Sequence, residues 1–266
     1  MLFPALRTGT MPMTDAPPFG SLKSDYTAYG AAAELFNCRD KEILLAGPAG
    51  TGKSRAALEK LYAAAVKYPG MRGLIIRKTR ASLSEAALQT WEEHVLPENS
   101  PLRTGVSRSH RNSYILQNGS HIDVGGFDVG GQDATARIMS REYDMIYIQE
   151  ATECSERDWE NATSRLRSPV MPYRQLIGDC NPDAPHHWLY QRCQSGFTKM
   201  LHSRHADNPT VTESYLETLS RLTGVRRQRL FLGLWVAAKG QVYEGWDERV
   251  HRVDAGQLRE WGILTS

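Results

Sequence analysis

The sequence lacks any bulk excess of charge: 32 Lys and Arg stand against 30 Asp and Glu, a formal net charge of +2. That excludes a global basic field for holding nucleic acid, so any such contact must come from local patches. Cysteine is scarce. Cys38, Cys154, Cys180 and Cys193 form no C-x-x-C pair and no metal-like Cys/His spacing, so reduced thiols are expected. No apolar run approaches the ~20 residues of a membrane span. No charged start followed by a long apolar core is present, so no signal peptide is predicted. Repeats, low-complexity tracts and an Asn-Lys-x-Asp guanine-reading segment are also missing. What remains is 41% hydrophobic and 23% charged over 266 residues, enough apolar material for one large α/β domain or two small ones.

Along the chain, residues 1–24 carry Pro4, Pro12, Pro17, Pro18 and Gly20 without periodicity and read as a loose arm. Short apolar runs predict buried strands at Glu42–Ala46, Gly73–Arg77, Met145–Ile148 and Gln175–Gly178. Helices are expected over Tyr26–Asn37, Ser54–Tyr68, Ser82–Val95, Asp158–Arg165 and His187–Gln194. A further helical stretch, Glu213–Trp235, should break near Thr223-Gly224. Asn118-Gly119 between Ser113–Gln117 and His121–Val124 signals a hairpin. Strands alternating with helices predict a mainly parallel sheet covered on both faces, with ligands at the carboxyl ends of its strands.

The most specific motif is Gly47-Pro48-Ala49-Gly50-Thr51-Gly52-Lys53-Ser54, a G-x-x-x-x-G-K-S loop between a predicted strand and a predicted helix. Its glycines leave backbone N–H groups free to wrap phosphates, and the helix start favours anions. Lys53 is expected to reach the β- and γ-phosphates, and the Ser54 hydroxyl to ligate Mg²⁺. Without a guanine-reading segment, ATP is the expected nucleotide.

A second acidic element closes the strand Met145–Ile148. At Gln149-Glu150, Glu150 is a candidate for activating water, or simply a cap for the helix that follows. Gln149 stands where such strands usually carry Asp; its amide can accept from a Mg²⁺-bound water but lends no charge. Asp144, at the strand's other end, is expected to be structural.

Taken in order, these segments resemble the ATPase domain of tailed-bacteriophage large terminases. The resemblance runs through Gly47–Ser54, Leu74–Thr79, Ile115–Ser120, Tyr143–Glu153, Gly178-Asp-Cys-Asn181-Pro182 with His187-Trp188, Asp207-Asn208-Pro209, Arg229–Trp235 and Gly240–Asp247. It implies a P-loop NTPase of the ASCE/RecA-like type, a mainly parallel sheet flanked by helices, with a small C-terminal helical lid. The implied divisions are an arm (1–24), an ATPase core (25–210), a lid (211–247) and the start of a linker (248–266). It implies ATP and Mg²⁺ as cofactors and translocation of double-stranded DNA into a procapsid. Portal protein, a small terminase subunit and a homo-oligomeric ring are the implied partners, in the cytoplasm of an infected bacterial host and away from membranes. Nuclease activity is expected to be absent from these residues.

In that family the Gly178–Pro182 segment couples to nucleotide state, which gives Asn181 a sensing role; read alone, Asn181-Pro182 is a turn. An arginine finger is implied by the resemblance, since charge on the transferring phosphoryl group needs stabilising. At the matching position this sequence has Met139, leaving Arg137 and Arg141 as candidates, acting across a subunit boundary. Pro48-Ala49 also stands where many terminases place an arginine.

Three basic clusters are candidate DNA contacts: Arg72, Arg77, Lys78 and Arg80; Arg103, Arg108, His110 and Arg111; Arg221, Arg226, Arg227 and Arg229. Arg77, at a strand end near the nucleotide face, could answer to ATP instead. His186-His187 reads as a surface turn rather than a metal site. A protein-remodelling P-loop ATPase and a small-molecule kinase remain alternatives to the DNA motor.

Overall fold

The computed structural model describes residues 26–103, 106–127 and 140–237, with Gly256, Leu258 and Trp261 beyond them. The expected arm, Arg137, Met139, the segment Gly240–Asp247 and most of the expected linker lie outside the described residues. Chain order begins with α1 (Gly30–Asn37), β1 (Glu42–Ala46), α2 (Lys53–Lys67) and β2 (Arg72–Arg77). It continues with α3 (Arg80–Glu85), α4 (Ala87–Thr90), β3 (Ser113–Ile115), β4 (His121–Gly126) and β5 (Met145–Ile148). Then come α5 (Glu156–Ser164), β6 (Gln175–Cys180), α6 (Trp188–Gln194), β7 (Lys199–His202), α7 (Glu213–Ser220) and α8 (Gly224–Leu230).

Among the described residues the strands form one seven-stranded sheet in the order β3-β4-β2-β5-β6-β1-β7. Every pairing is parallel except the β3–β4 hairpin. β6 is inserted between β1, which leads into the glycine loop, and β5, which leads into Glu150. The carboxyl ends of these three strands therefore open side by side.

Strand alternation sorts the core into two layers. Ile43, Leu45, Ile75, Met145, Tyr147 and Ile177 face one side, beneath α1, α2 and α4. Leu44, Leu74, Ile76, Ile146, Ile148 and Leu176 face the other, beneath α5 and α6. Burial on both faces explains why the central strands read as continuous apolar runs rather than alternating ones.

Two expectations need correction. The helix expected over Ser82–Val95 is interrupted at Ala86 (φ −117°, ψ −75°) and ends in a π-helical turn, Trp91–Val95. That turn buries Trp91 edge-on against Tyr62 and close to Tyr114; packing of a large indole overrides continuous α geometry here. Strand β7 was not expected, because its exposed edge position leaves only Leu201 fully buried. The break near Thr223-Gly224 is present, with Thr223 outside α8 and Gly224 at its start.

A buried cation ties α2 to the end of α1. Lys60 on α2 is 3% exposed and donates to the Leu35 and Cys38 carbonyls at 2.7 and 2.9 Å. Burial pulls its pKa down from 10.5 to about 7. The unfolded chain holds that proton to a higher pH, so the penalty is full below about pH 7 and relaxes toward about pH 10. The thermal midpoint is therefore expected to rise between about pH 7 and about pH 9, and Lys60→Met to flatten the rise. A variant with the wild-type slope in calorimetry would assign the effect to another group.

Candidate nucleotide site

The glycine loop follows β1 directly, and its conformation depends on residues without side chains. Gly52 caps α2 in the left-handed region (φ +79°), a geometry that costs an L-residue with a Cβ roughly 1 kcal/mol or more. A Cβ on Gly47 would run into the Ser203 carbonyl oxygen at the end of β7. The loop is also held from outside: Ala49 N–H donates to the Leu230 carbonyl (2.9 Å), and Asn208 Nδ2 donates to the Gly50 carbonyl (2.7 Å). His205 Nε2 lies 3.0 Å from the Ala49 carbonyl.

Lys53 begins α2 and turns back into the loop. Its Nζ donates to the Gly47 carbonyl (3.0 Å), the Pro48 carbonyl (2.6 Å) and Asn181 Oδ1 (3.2 Å). Burial pulls its pKa below the usual lysine range, against the opposing charges of Asp179, Cys180 and Glu150. Asn181 thus touches the loop lysine directly instead of serving only as a turn residue beside Pro182.

Glu150 follows β5 with φ +49° and ψ +56°, and among the described residues no other non-glycine has a positive φ. A strained backbone at a carboxylate is characteristic of sites where geometry serves chemistry. The capping alternative fails: the Glu150 side chain makes no cap bond to the turn Ala151–Glu153, and α5 is capped by a Ser155–Asp158 box. Burial, then the neighbouring Asp179 charge, pushes the Glu150 pKa up to about 7. Gln149 is 4% exposed, and its Oε1 has no hydrogen-bond partner among the described residues.

Asp179 is the residue sequence reasoning missed. It is 1% exposed, at the carboxyl end of β6, two residues before Asn181. It accepts from the Ser54 hydroxyl through a short hydrogen bond and from the Glu150 amide at 2.9 Å. Burial raises its pKa against those donors. The available signal was an ionisable residue in an otherwise apolar strand run, Gln175-Leu-Ile-Gly-Asp-Cys180.

Arg77 sits at the carboxyl end of β2 and grips Glu153 through Nε and Nη2 (2.9 and 2.7 Å). The Glu153 carboxylate raises its pKa most, and the charges of Glu150 and Asp179 add to it. Arg141 lies elsewhere. Its guanidinium holds Asp123 Oδ1 and Oδ2 (2.6 and 2.8 Å), with Tyr143 Oη donating to the same carboxylate at 2.9 Å. These residues line a groove of about 270 Å³ with Arg72, His121 and Glu142, at the amino ends of β2, β4 and β5. Arg141 is therefore at the opposite end of the sheet from its own glycine loop. Asp144 is structural, accepting from Arg72 N–H, Ser168 Oγ and Met171 N–H.

Much of the basic surface expected for DNA is engaged internally. Lys78 pairs with Asp158, and Arg108 pairs with Glu92 and Glu93. Arg80 donates to the Arg108 and Arg111 carbonyls, and Arg111 to the Val106 carbonyl. Arg229 pairs with Asp183 and binds the Val236 carbonyl. On α8, Arg226 and Arg227 are exposed. His187 caps α6 and reaches the Thr152 carbonyl. The four cysteines are free, and among the described residues no helix is long and apolar enough to cross a membrane.

Comparison with known proteins agrees with this architecture. A family model described as phage terminase large subunit matches residues 39–223. The large terminase of a thermophilic bacteriophage is similar in structure, with TM-score 0.66 at 18% identity over 84% of this chain and 57% of that one. The same thermophilic-phage protein in complex with ADP gives TM-score 0.64 at 20% identity, over 83% of this chain and 57% of that one. The Thermus phage P74-26 large terminase ATPase domain gives TM-score 0.55 at 14% identity, over 80% of this chain and 96% of that domain. The chain thus spans 57% of the length of the thermophilic-phage terminase. No curated protein matches in sequence comparison.

Proposed function

The chain belongs to the phage terminase large subunit family, and from that premise we propose that it is an ATP-hydrolysing motor domain that drives double-stranded DNA into a procapsid. The observation that carries the proposal is the convergence of Lys53, Ser54, Glu150 and Asn181 at the adjoining carboxyl ends of β1, β5 and β6. The glycine loop, residues 47–54, wraps the phosphates with its backbone N–H groups, and the Lys53 ammonium exchanges its carbonyl partners for phosphate oxygens. Glu150 orients the attacking water and accepts its proton as the new bond to the γ-phosphorus forms and ADP leaves. Asn181, bonded to Lys53 before nucleotide arrives, changes partner when phosphate does, which couples the loop to β6.

Mg²⁺ fits the residues present. The donors around Ser54 are hard oxygens, the Ser54 hydroxyl and the Asp179 carboxylate it meets. Among the described residues no group of three or more His, Cys, Asp or Glu could hold a metal ion by itself. Bound Mg²⁺ would neutralise charge on the phosphates.

The core (25–210) carries the chemistry, and the lid (211–247) closes on the loop. In the infected cell's cytoplasm the domain works in a homo-oligomeric ring with portal protein and small terminase subunit. The decisive assay is ATP turnover with and without duplex DNA. Stimulation by DNA of unrelated sequences, falling steeply with salt, is expected; turnover indifferent to DNA would favour a protein-remodelling ATPase.

Arg141 serves as the finger for a neighbouring subunit, since it cannot reach its own loop. Mixing Arg141→Ala with Glu150→Ala subunits is expected to restore turnover that neither has alone, because one interface then combines an intact Glu150 with an intact Arg141. Additive inactivity, measured across mixing ratios, would remove Arg141 from that role.

A further inference from the structure

We propose that Asp179, on β6, supplies the carboxylate of the Mg²⁺ site that β5 lacks at Gln149. The inference rests on the ATPase reading and deepens it by assigning a metal-site residue one strand away from where it is expected.

Geometry favours β6. In the parallel register Ile148 stands beside Gly178 and Leu45 beside Asp179. Position 179 therefore lies between position 149 and the end of β1, one strand spacing (about 4.8 Å) nearer the glycine loop. Alternation points Gln149 and Asp179 to the same face as Met145, Tyr147 and Ile177, the face covered by α2, and α2 begins at Lys53-Ser54. The Ser54 hydroxyl, the expected Mg²⁺ ligand, is bonded to Asp179. Gln149 Oε1, by contrast, has no hydrogen-bond partner among the described residues.

Electrostatics points the same way. A carboxylate 1% exposed needs a compensating charge or neutral donors filling its lone pairs. The groups that meet Asp179, the Ser54 hydroxyl, the Glu150 amide and the Tyr147 hydroxyl, are all neutral. The nearby Lys53 ammonium is engaged by two loop carbonyls and Asn181. Asp179, Glu150 and Glu153 thus bring three carboxylates to two cations, Lys53 and Arg77, an excess that a divalent cation corrects. A carboxylate on β6 thus stands in for the one that such strands usually carry at the position of Gln149.

The test measures how strongly Mn²⁺, standing in for Mg²⁺, raises the affinity of the full chain for a fluorescent ADP, as the ratio of dissociation constants in EDTA and in Mn²⁺. Asp179→Asn is expected to cut that ratio by about tenfold or more through weaker binding in Mn²⁺, not through tighter binding in EDTA. Gln149→Ala should keep the wild-type ratio. The double variant Gln149→Asp/Asp179→Asn, which returns the carboxylate to β5, should recover much of it. A wild-type ratio in folded Asp179→Asn, or its loss in Gln149→Ala, overturns the assignment. Should Asp179→Asn not fold, loss of the ratio in Gln149→Ala still overturns the assignment. A wild-type chain that binds no ADP in either condition would instead overturn the parent ATPase reading.

Discussion

Replacing Glu150 by Gln is expected to leave ADP binding intact and to lower ATP turnover by about 10²–10⁴-fold. Gln keeps the size and much of the polarity of the side chain but cannot accept a proton from water. Burial already pushes the Glu150 pKa up to about 7, so the carboxylate is a far stronger base than an exposed glutamate while still partly ionised near neutral pH. Its backbone offers a second handle. At φ +49° the residue stores roughly 1 kcal/mol of strain that glycine would relieve. Glu150→Gly should therefore match or exceed the wild type in thermal stability while being as inactive as Glu150→Gln. A turnover-competent Glu150→Gln protein would remove Glu150 from the chemistry; a poorly folded Glu150→Gly protein would show that its role is structural.

The second large effect is expected at Lys53. Lys53→Ala should lower turnover by about 10³-fold or more, through loss of the positive charge at the transferring phosphoryl group. Unlike Glu150→Gln, it should also weaken nucleotide binding, because the ammonium meets the phosphates before the transition state as well as in it. The truncation strips the Gly47 and Pro48 carbonyls of a donor, at about 1–2 kcal/mol, so a melting curve must accompany the kinetics. The contrast between the variants is the informative readout: binding kept with chemistry lost at Glu150, both lost at Lys53. Unimpaired turnover in Lys53→Ala would falsify the nucleotide-site assignment as a whole.

The parts of this site legible in the sequence are those with local causes. The glycine loop announces itself because its phosphate geometry needs glycines at fixed offsets between a strand and a helix. Strands β1, β2, β5 and β6 are readable because burial on both faces demands unbroken apolar runs. Strand β7 escapes the same reasoning, since a short edge strand with one fully buried residue has almost no pattern to detect. The helix over Ser82–Val95 fails for the opposite reason: its periodicity is sound, but Trp91 packing against Tyr62 and Tyr114 reshapes the last turn, and those partners are distant in sequence.

Charge is the least legible property. Arg77 and Glu153 are 76 positions apart, and Lys78 and Asp158 are 80 apart. Nothing local reveals that these basic residues answer to the acidic stretch after β5. Asp179 is hidden similarly. Its importance comes from the register that sets β6 beside β1 and from the Ser54 hydroxyl, 125 positions upstream. A motif search that expects the acid on β5 finds Gln149 and stops one strand short.

The bonds reaching the glycine loop from beyond β7 bear on where the chain can be cut. Leu230 and His205 hold Ala49, Asn208 holds Gly50, and Val236 N–H in turn donates to the Asp183 carbonyl, just past Asn181. These bonds cross the division proposed near residue 210. A fragment ending at β7 would keep every residue of the glycine loop and lose the Leu230 carbonyl that satisfies Ala49. The smallest piece that retains these bonds runs to at least Val236, so the stretch from Leu230 to Val236 is part of the glycine loop's own scaffold.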